Sequence, residues 1–170
     1  MQEASVLQKS ATLPKIDIFH GLTQANMSEL HGWLQPRVYS AGVEIFHEGH
    51  LPTALYILTK GTAGVLSNST EGRVRLANIE APCFFGEMAL LEGGDRSATI
   101  IAQTELAAYI LPADLFSAKL ADNNLTALKI ALNIGRLVCS RLRNQNKKVT
   151  MFISNVAAHN RRIRRQPFRP

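Results

Sequence analysis

The sequence predicts a mainly β fold of the α+β class. It is an antiparallel β-roll, a double-stranded β-helix or jelly-roll in character, with an N-terminal helix, a short internal helix and C-terminal helices. Two observations predict it. From Val38 to Leu111 short apolar or alternating runs recur at intervals of roughly 8–12 residues, as in sandwiches and barrel-like rolls. After Pro112 the apolar period becomes helical. The size agrees: 170 residues, 46% hydrophobic and 19% charged, suit one domain with a real core and an appendage. That composition excludes a disordered chain, a collagen and a disulfide-stapled miniprotein.

The elements are justified in chain order. Residues 1–15 are polar up to Pro14 and read as an arm. Thr23 caps a helix whose apolar positions Met27, Leu30, Trp33 and Leu34 share a face, with Pro36 as its expected end. Strand runs follow at 38–39, 44–46, 54–58, 63–66, 74–79, 97–102 and 106–111. Gly42, Gly49, Gly61, the stretch 67–72 and Gly93-Gly94-Asp95 punctuate them. Together residues 16–122 form the roll. Pro112-Ala113-Asp114 opens a short helix through Leu120, and Asn123-Asn124 caps a long one over 123–150. Leu125, Leu128, Leu132, Val138 or Cys139, and Leu142 give it a stripe near heptad spacing, widened by Ile134 and Leu137. That stripe is wide enough for the β body on one side and a partner helix on the other. Residues 151–170 form a basic tail.

Charge is divided unevenly. The net value is +6. Residues 1–122 carry all 13 acids and 8 of the 19 bases, for −5. Residues 123–170 carry no acid and 11 bases, for +11. Cys83 and Cys139 sit in apolar surroundings and suggest neither a disulfide framework nor a zinc knuckle. With no signal-peptide pattern and no apolar run of membrane-spanning length, a soluble cytoplasmic protein is expected.

The chemistry concentrates between Phe84 and Thr99. Gly86 follows a strand and allows close backbone approach to a ligand. Residues 87–91 form one short helical turn whose first N–H groups favour an anion. Arg96 offers a guanidinium suited to phosphate, and Ser97 adds a hydroxyl beside it. Glu87, acceptor-only when ionised, would repel phosphate but accept from a hydroxyl. Glu beside Arg thus fits a ligand with a phosphate and a neighbouring OH, such as a ribose phosphate. The spacing fits equally a surface ion pair across a tight turn.

This stretch resembles the phosphate-binding cassette of cyclic-nucleotide-binding domains, the family of the catabolite activator protein and the protein-kinase regulatory subunits. Separated motifs in the same order also resemble it: Ala41 to Gly49, Leu55 to Leu58 with Gly61, and Leu106 to Phe116. The resemblance covers roughly 16–145. It implies that Glu87 binds the ribose 2′-hydroxyl, Arg96 the cyclic phosphate, and Ser97 the phosphate or the purine. The backbone of Gly86, Met88 and Ala89 would complete the cradle, and Val74 and Leu76 would supply apolar wall. Gln145 and Asn146, on the helix that closes over the purine in this family, have amides able to read a base edge. Asp95 stands where the family often has Pro, and Pro82 where Gly is common.

The resemblance implies a non-catalytic receptor for cAMP or cGMP, with cAMP favoured, that signals through its long helix. No cofactor or metal is expected. His47-Glu48-Gly49-His50 resembles a zinc motif, but its spacing is one residue short and it sits at a turn. No nucleophile elbow, Walker loop or G-x-G-x-x-G is present, so no enzyme is expected. The partners expected are the cyclic nucleotide and a second copy through the 124–148 helix. The basic tail suits an acidic partner, an anionic membrane surface or nucleic acid. The rival reading is a dimeric interaction module that recruits such a partner by the tail, with little or no nucleotide binding. The family's transcription factors continue into a helix-turn-helix domain, and no such pattern follows Gln145.

Overall fold

The structure, a computed structural model, describes residues 13–164, and their side chains other than those of Ala89, Glu92 and residues 157–164. Most of the expected arm and the end of the basic tail lie outside the described residues. Two four-stranded antiparallel sheets form the body. The first runs in the order β1 (Gln35–Tyr39), β8 (Leu106–Pro112), β3 (Ala54–Lys60), β6 (Cys83–Phe85). The second runs β2 (Glu44–Phe46), β7 (Thr99–Ala102), β4 (Thr62–Ser69), β5 (Gly72–Glu80).

β3 shows why the sheets pack as they do. Its residues Ala54 to Leu58 are all buried, a continuous apolar run as expected of a strand covered on both faces. Ala54, Tyr56 and Leu58 point one way and join Phe85, Ile100, Ala102, Leu106 and Ala108 in the core. By the same alternation Leu55 and Ile57 point to the opposite face. There helices cover the sheet: α3 (Ala113–Ala121) packs on β3 and β8, and His31 meets Tyr109 edge-on at 5.8 Å.

The first helix, α1 (Gln24–His31), begins at a capping box: Thr23 Oγ1 accepts from the Asn26 N–H, and Asn26 Oδ1 from the Thr23 N–H. It ends at His31 rather than running on toward Pro36. Trp33 and Leu34 are buried beyond its end, and Pro36 is the second residue of β1. Proline is tolerated there because β1 is an edge strand. β7 begins at Thr99, two residues later than the run starting at Ser97 suggested.

The last helix, α4, spans Leu125–Arg164. Asn124 Oδ1 accepts the Ala127 N–H at 3.0 Å, the cap expected of it. Of the expected stripe, the widening Ile134 is turned to the body, but its leucines are not. Leu125, Leu128, Leu132 and Leu142 are exposed, while Thr126, Ala127, Ile130, Asn133 and Ile134 are buried. Polar bonds fix that buried face. Asn133 Nδ2 donates to the Ile18 and His20 carbonyls at 3.0 and 2.7 Å. Thr126 Oγ1 donates to Glu29 at 2.6 Å and accepts from Asn26 at 2.9 Å. Two compact units result, one ending at Ile134 and one starting at Gly135.

Candidate functional site

The cassette hangs between β6 and β7. Gly86 leaves β6 with φ +82°, a left-handed conformation that favours glycine. Space requires glycine as well: a Cβ here would lie 2.6 Å from Arg96 Nη1 and 3.3 Å from the Ala54 carbonyl oxygen. The short α2 (Glu87–Glu92) follows, starting with a buried Glu87. The chain then turns through Gly93, at φ +71°, and reaches Arg96.

Arg96 is only 3% exposed, which is rare for an arginine. The backbone on either side of it is clamped by the turn after β2. The Gly49 N–H donates to the Arg96 carbonyl at 2.9 Å, and the Arg96 N–H to the His50 carbonyl at 2.8 Å. The guanidinium donates from Nη1 to the Gly86 carbonyl at 3.1 Å and from Nη2 to the Ala54 carbonyl at 2.7 Å. Its Cζ lies 4.1 Å from the Phe46 ring centroid and 5.7 Å from that of Tyr56, a cation–π arrangement. Tyr56 in turn stacks on Phe85 at 5.1 Å.

Burial pulls the Arg96 pKa below its ordinary value, and the ionisable Tyr56 and Glu87 oppose that. The guanidinium stays charged, because an arginine starts so far above neutrality. Its Nε–H is buried and bonds to no atom of the described protein. A buried cation with an unused donor, beside a carboxylate, suits a ligand that brings an anion and a hydroxyl together.

Gly86, Glu87 and Arg96 are thus brought together. Ser97 follows directly and is exposed, as is Met88 on α2; Ala89 is on α2 as well. Val74 and Leu76 lie on β5, an edge strand, and are 48% and 60% exposed. Gln145 and Asn146 are exposed on α4, in the second unit. Sequence reasoning missed Ala54, Phe46 and Tyr56 as the surroundings of Arg96. The alternation of β3 puts Ala54 and Tyr56 on one face, but only the register brings that face to the cassette. Among the described residues no group of three His, Cys, Asp or Glu could hold a metal. No helix among them is long and apolar enough to cross a membrane.

A two-sheet roll that buries an arginine and a glutamate in one glycine-hinged turn has the layout of a small-ligand-binding module. The comparison with known proteins gives the family. Residues 36–123 match the cyclic nucleotide-binding domain, and the chain belongs to that family. It is similar to the cyclic AMP receptor protein of Thermus thermophilus, 30% identical over 136 residues, 79% of this chain and 61% of that protein. It is also similar to the cAMP-dependent protein kinase regulatory subunit of Neurospora crassa, 33% identical over 94 residues, 55% of this chain and 24% of that protein. Among solved structures, the Thermus thermophilus catabolite activator protein superimposes with a TM-score of 0.71 at 28% identity, covering 81% of this chain and 63% of that one. The chain therefore spans less than two thirds of the length of these relatives.

Proposed function

We propose that this chain is a non-catalytic cytoplasmic receptor for a cyclic nucleotide, cAMP in preference to cGMP. The observation that carries the reading is the buried Arg96 beside the buried Glu87 on the glycine-hinged turn. Arg96 would take the cyclic phosphate, using the Nε–H that no atom of the described residues accepts. Glu87 would accept from the ribose 2′-hydroxyl. Ser97 and the backbone of Gly86, Met88 and Ala89 would complete the cradle, with Val74 and Leu76 as apolar wall and Gln145 or Asn146 at the purine. One Arg matches the single negative charge of a cyclic phosphodiester. The relatives support the ligand class by name: a cyclic AMP receptor and a cAMP-dependent kinase subunit. Binding would favour one placement of the 124–148 helix, changing the geometry of a homodimer or the exposure of the basic tail over 151–170.

Titration calorimetry with cAMP and with cGMP tests this. Saturable heat is expected, and Arg96→Ala should weaken binding at least tenfold, about 1.5–3 kcal/mol for a charged hydrogen bond. Absence of heat and of any thermal shift at millimolar nucleotide overturns the reading. The complete absence of acidic residues after Asp122 favours a second one: a dimeric module that recruits an acidic partner or nucleic acid by its tail. Deleting residues 147–170 separates the two, because the receptor keeps its nucleotide and the recruiter loses its activity.

A further inference from the structure

The Arg96 guanidinium is fastened from both sheets. The first sheet holds it by hydrogen bonds: Nη2 donates to the carbonyl of Ala54, on β3, and Nη1 to that of Gly86, which leaves β6. The second sheet holds it by a ring. The Cζ atom lies over Phe46, the last residue of β2, at 4.1 Å from the ring centroid. The turn that follows β2 takes hold of the backbone of the same arginine, through Gly49 and His50. One stretch of chain, 46–50, therefore grips Arg96 at both ends.

Phe46 also has an ordinary packing role. It borders the core, and its ring centroid lies 5.5 Å from that of Tyr56 and 5.9 Å from that of Phe85. Packing asks only for apolar volume, which a leucine supplies. The cation asks for more. A buried guanidinium loses its hydration, and the face of a ring attracts it in a way an aliphatic side chain does not. Tyr56 is the farther ring, at 5.7 Å, and its own partner is Phe85, on which it stacks within 6°. With both Nη atoms turned to carbonyls and Cζ over Phe46, the Nε–H is the donor that no atom of the described residues accepts.

We propose that Phe46 is a positioning residue for the anion site: its ring holds the guanidinium from the second sheet, so that the Nε–H edge is the one offered to the phosphate of the ligand. The ligand rests on the receptor reading above; the contact between Phe46 and Arg96 does not. Without the ring the guanidinium is held by the first sheet alone, and its edge is free to turn. An aromatic side chain at this position thus sets affinity for the anion.

The full chain, labelled with heavy nitrogen, tests the contact by magnetic resonance without nucleotide. The Arg96 Nε–H signal is the one that Arg96→Ala removes. Nuclei above an aromatic ring are shielded, so Phe46→Leu should move that signal downfield, and Phe46→Tyr should leave it near its place. A signal that Phe46→Leu does not move overturns the proposal. Calorimetric titration with cAMP then reads the consequence. Binding should weaken about tenfold in Phe46→Leu, the size of a desolvated cation–π contact, and stay close to that of the parent chain in Phe46→Tyr. In the Arg96→Ala background Phe46→Leu should cost nothing more. An equal loss in both backgrounds, or a loss as large in Phe46→Tyr, means that the ring only packs, and overturns the proposal. That comparison holds even where Phe46→Leu lowers the melting temperature, because a packing loss is common to both backgrounds. Absence of heat with the parent chain would sink the receptor reading, and the Nε–H signal would still decide whether Phe46 holds Arg96.

Discussion

Between Leu125 and Ile134, α4 has two apolar faces and buries one of them against its own chain; from Cys139 to Val156 it has only the other. In the first stretch Ala127, Ile130 and Ile134 are fully buried, and Asn133 and Thr126 are bonded to residues 18–29. In the second stretch the same helical positions hold Ser140, Arg141, Asn144, Lys147 and Lys148, all exposed. The outward row of Leu, Val and Ile continues through both. The fold rests on one face of this helix, and the homodimer proposed above would use the other. A change on the buried face should act at any protein concentration, and a change on the outward face only where copies meet.

The sharpest way to break that comparison is to empty the buried face. Ile130 is fully buried, so Ile130→Ala should cost about 2–5 kcal/mol of unfolding free energy, a transfer loss plus a cavity. Urea denaturation should give the same loss at low and high protein concentration. Asn133→Ala comes next. It removes both donors to the Ile18 and His20 carbonyls and should cost about 1–3 kcal/mol, because these acceptors lose their partner in a largely buried place. Leu132 is 55% exposed between these two residues' turns. Leu132→Ser should change unfolding of dilute protein by no more than about 0.5 kcal/mol, as for ordinary surface sites, while lowering self-association in sedimentation. A large effect of Leu132→Ser in dilute protein would show that the outward face also serves the fold.

The same division explains how much of the molecule could be read from the sequence. The strands were legible because β3 and β4 carry apolar runs that meet at the Gly61 turn and β8 carries one that stops at Pro112, and Thr23 and Asn124 announced their helices by cap chemistry. The stripe on α4 was read as serving the body and a partner at once, but of its members Ile134 is buried while Leu125, Leu128, Leu132 and Leu142 are exposed. Leucines outrank Thr126, Ala127 and Asn133 as core residues on composition, whereas the chain buries the smaller and polar face. It can do so because Glu29, Asn26, Ile18 and His20 supply the hydrogen bonds that face needs. Those partners lie about a hundred residues away, and no local pattern reveals them. Arg96 gives the same lesson at the site. Its residue type and spacing pointed to a phosphate, yet its contacts with Phe46, Tyr56 and the Ala54 carbonyl depend on strand register.

The smallest expected effect tests the polar part of the buried face by pH. Hydrogen bonds from Thr126, then from Asn124, hold the Glu29 carboxyl below the usual carboxylate range against the opposing effect of burial. A group whose pKa is lower folded than unfolded binds more protons in the unfolded chain around those values. Its contribution is therefore complete above the unfolded carboxylate pKa and disappears as pH falls through the folded one. Glu44 is shifted the same way, by the hydrogen bond from Arg73 first, so acid should weaken the fold through at least two groups. Thermal melts of dilute protein should fall with acid, and Glu29→Gln should make that fall shallower without removing it. Glu29 anchors the first turn of α4 through Asn124 and Thr126, while Glu44 lies on β2 and is bonded to Arg73 instead. An unchanged acid slope in Glu29→Gln would mean that the apolar contacts of Ala127, Ile130 and Ile134 hold the helix to the body without help from this network.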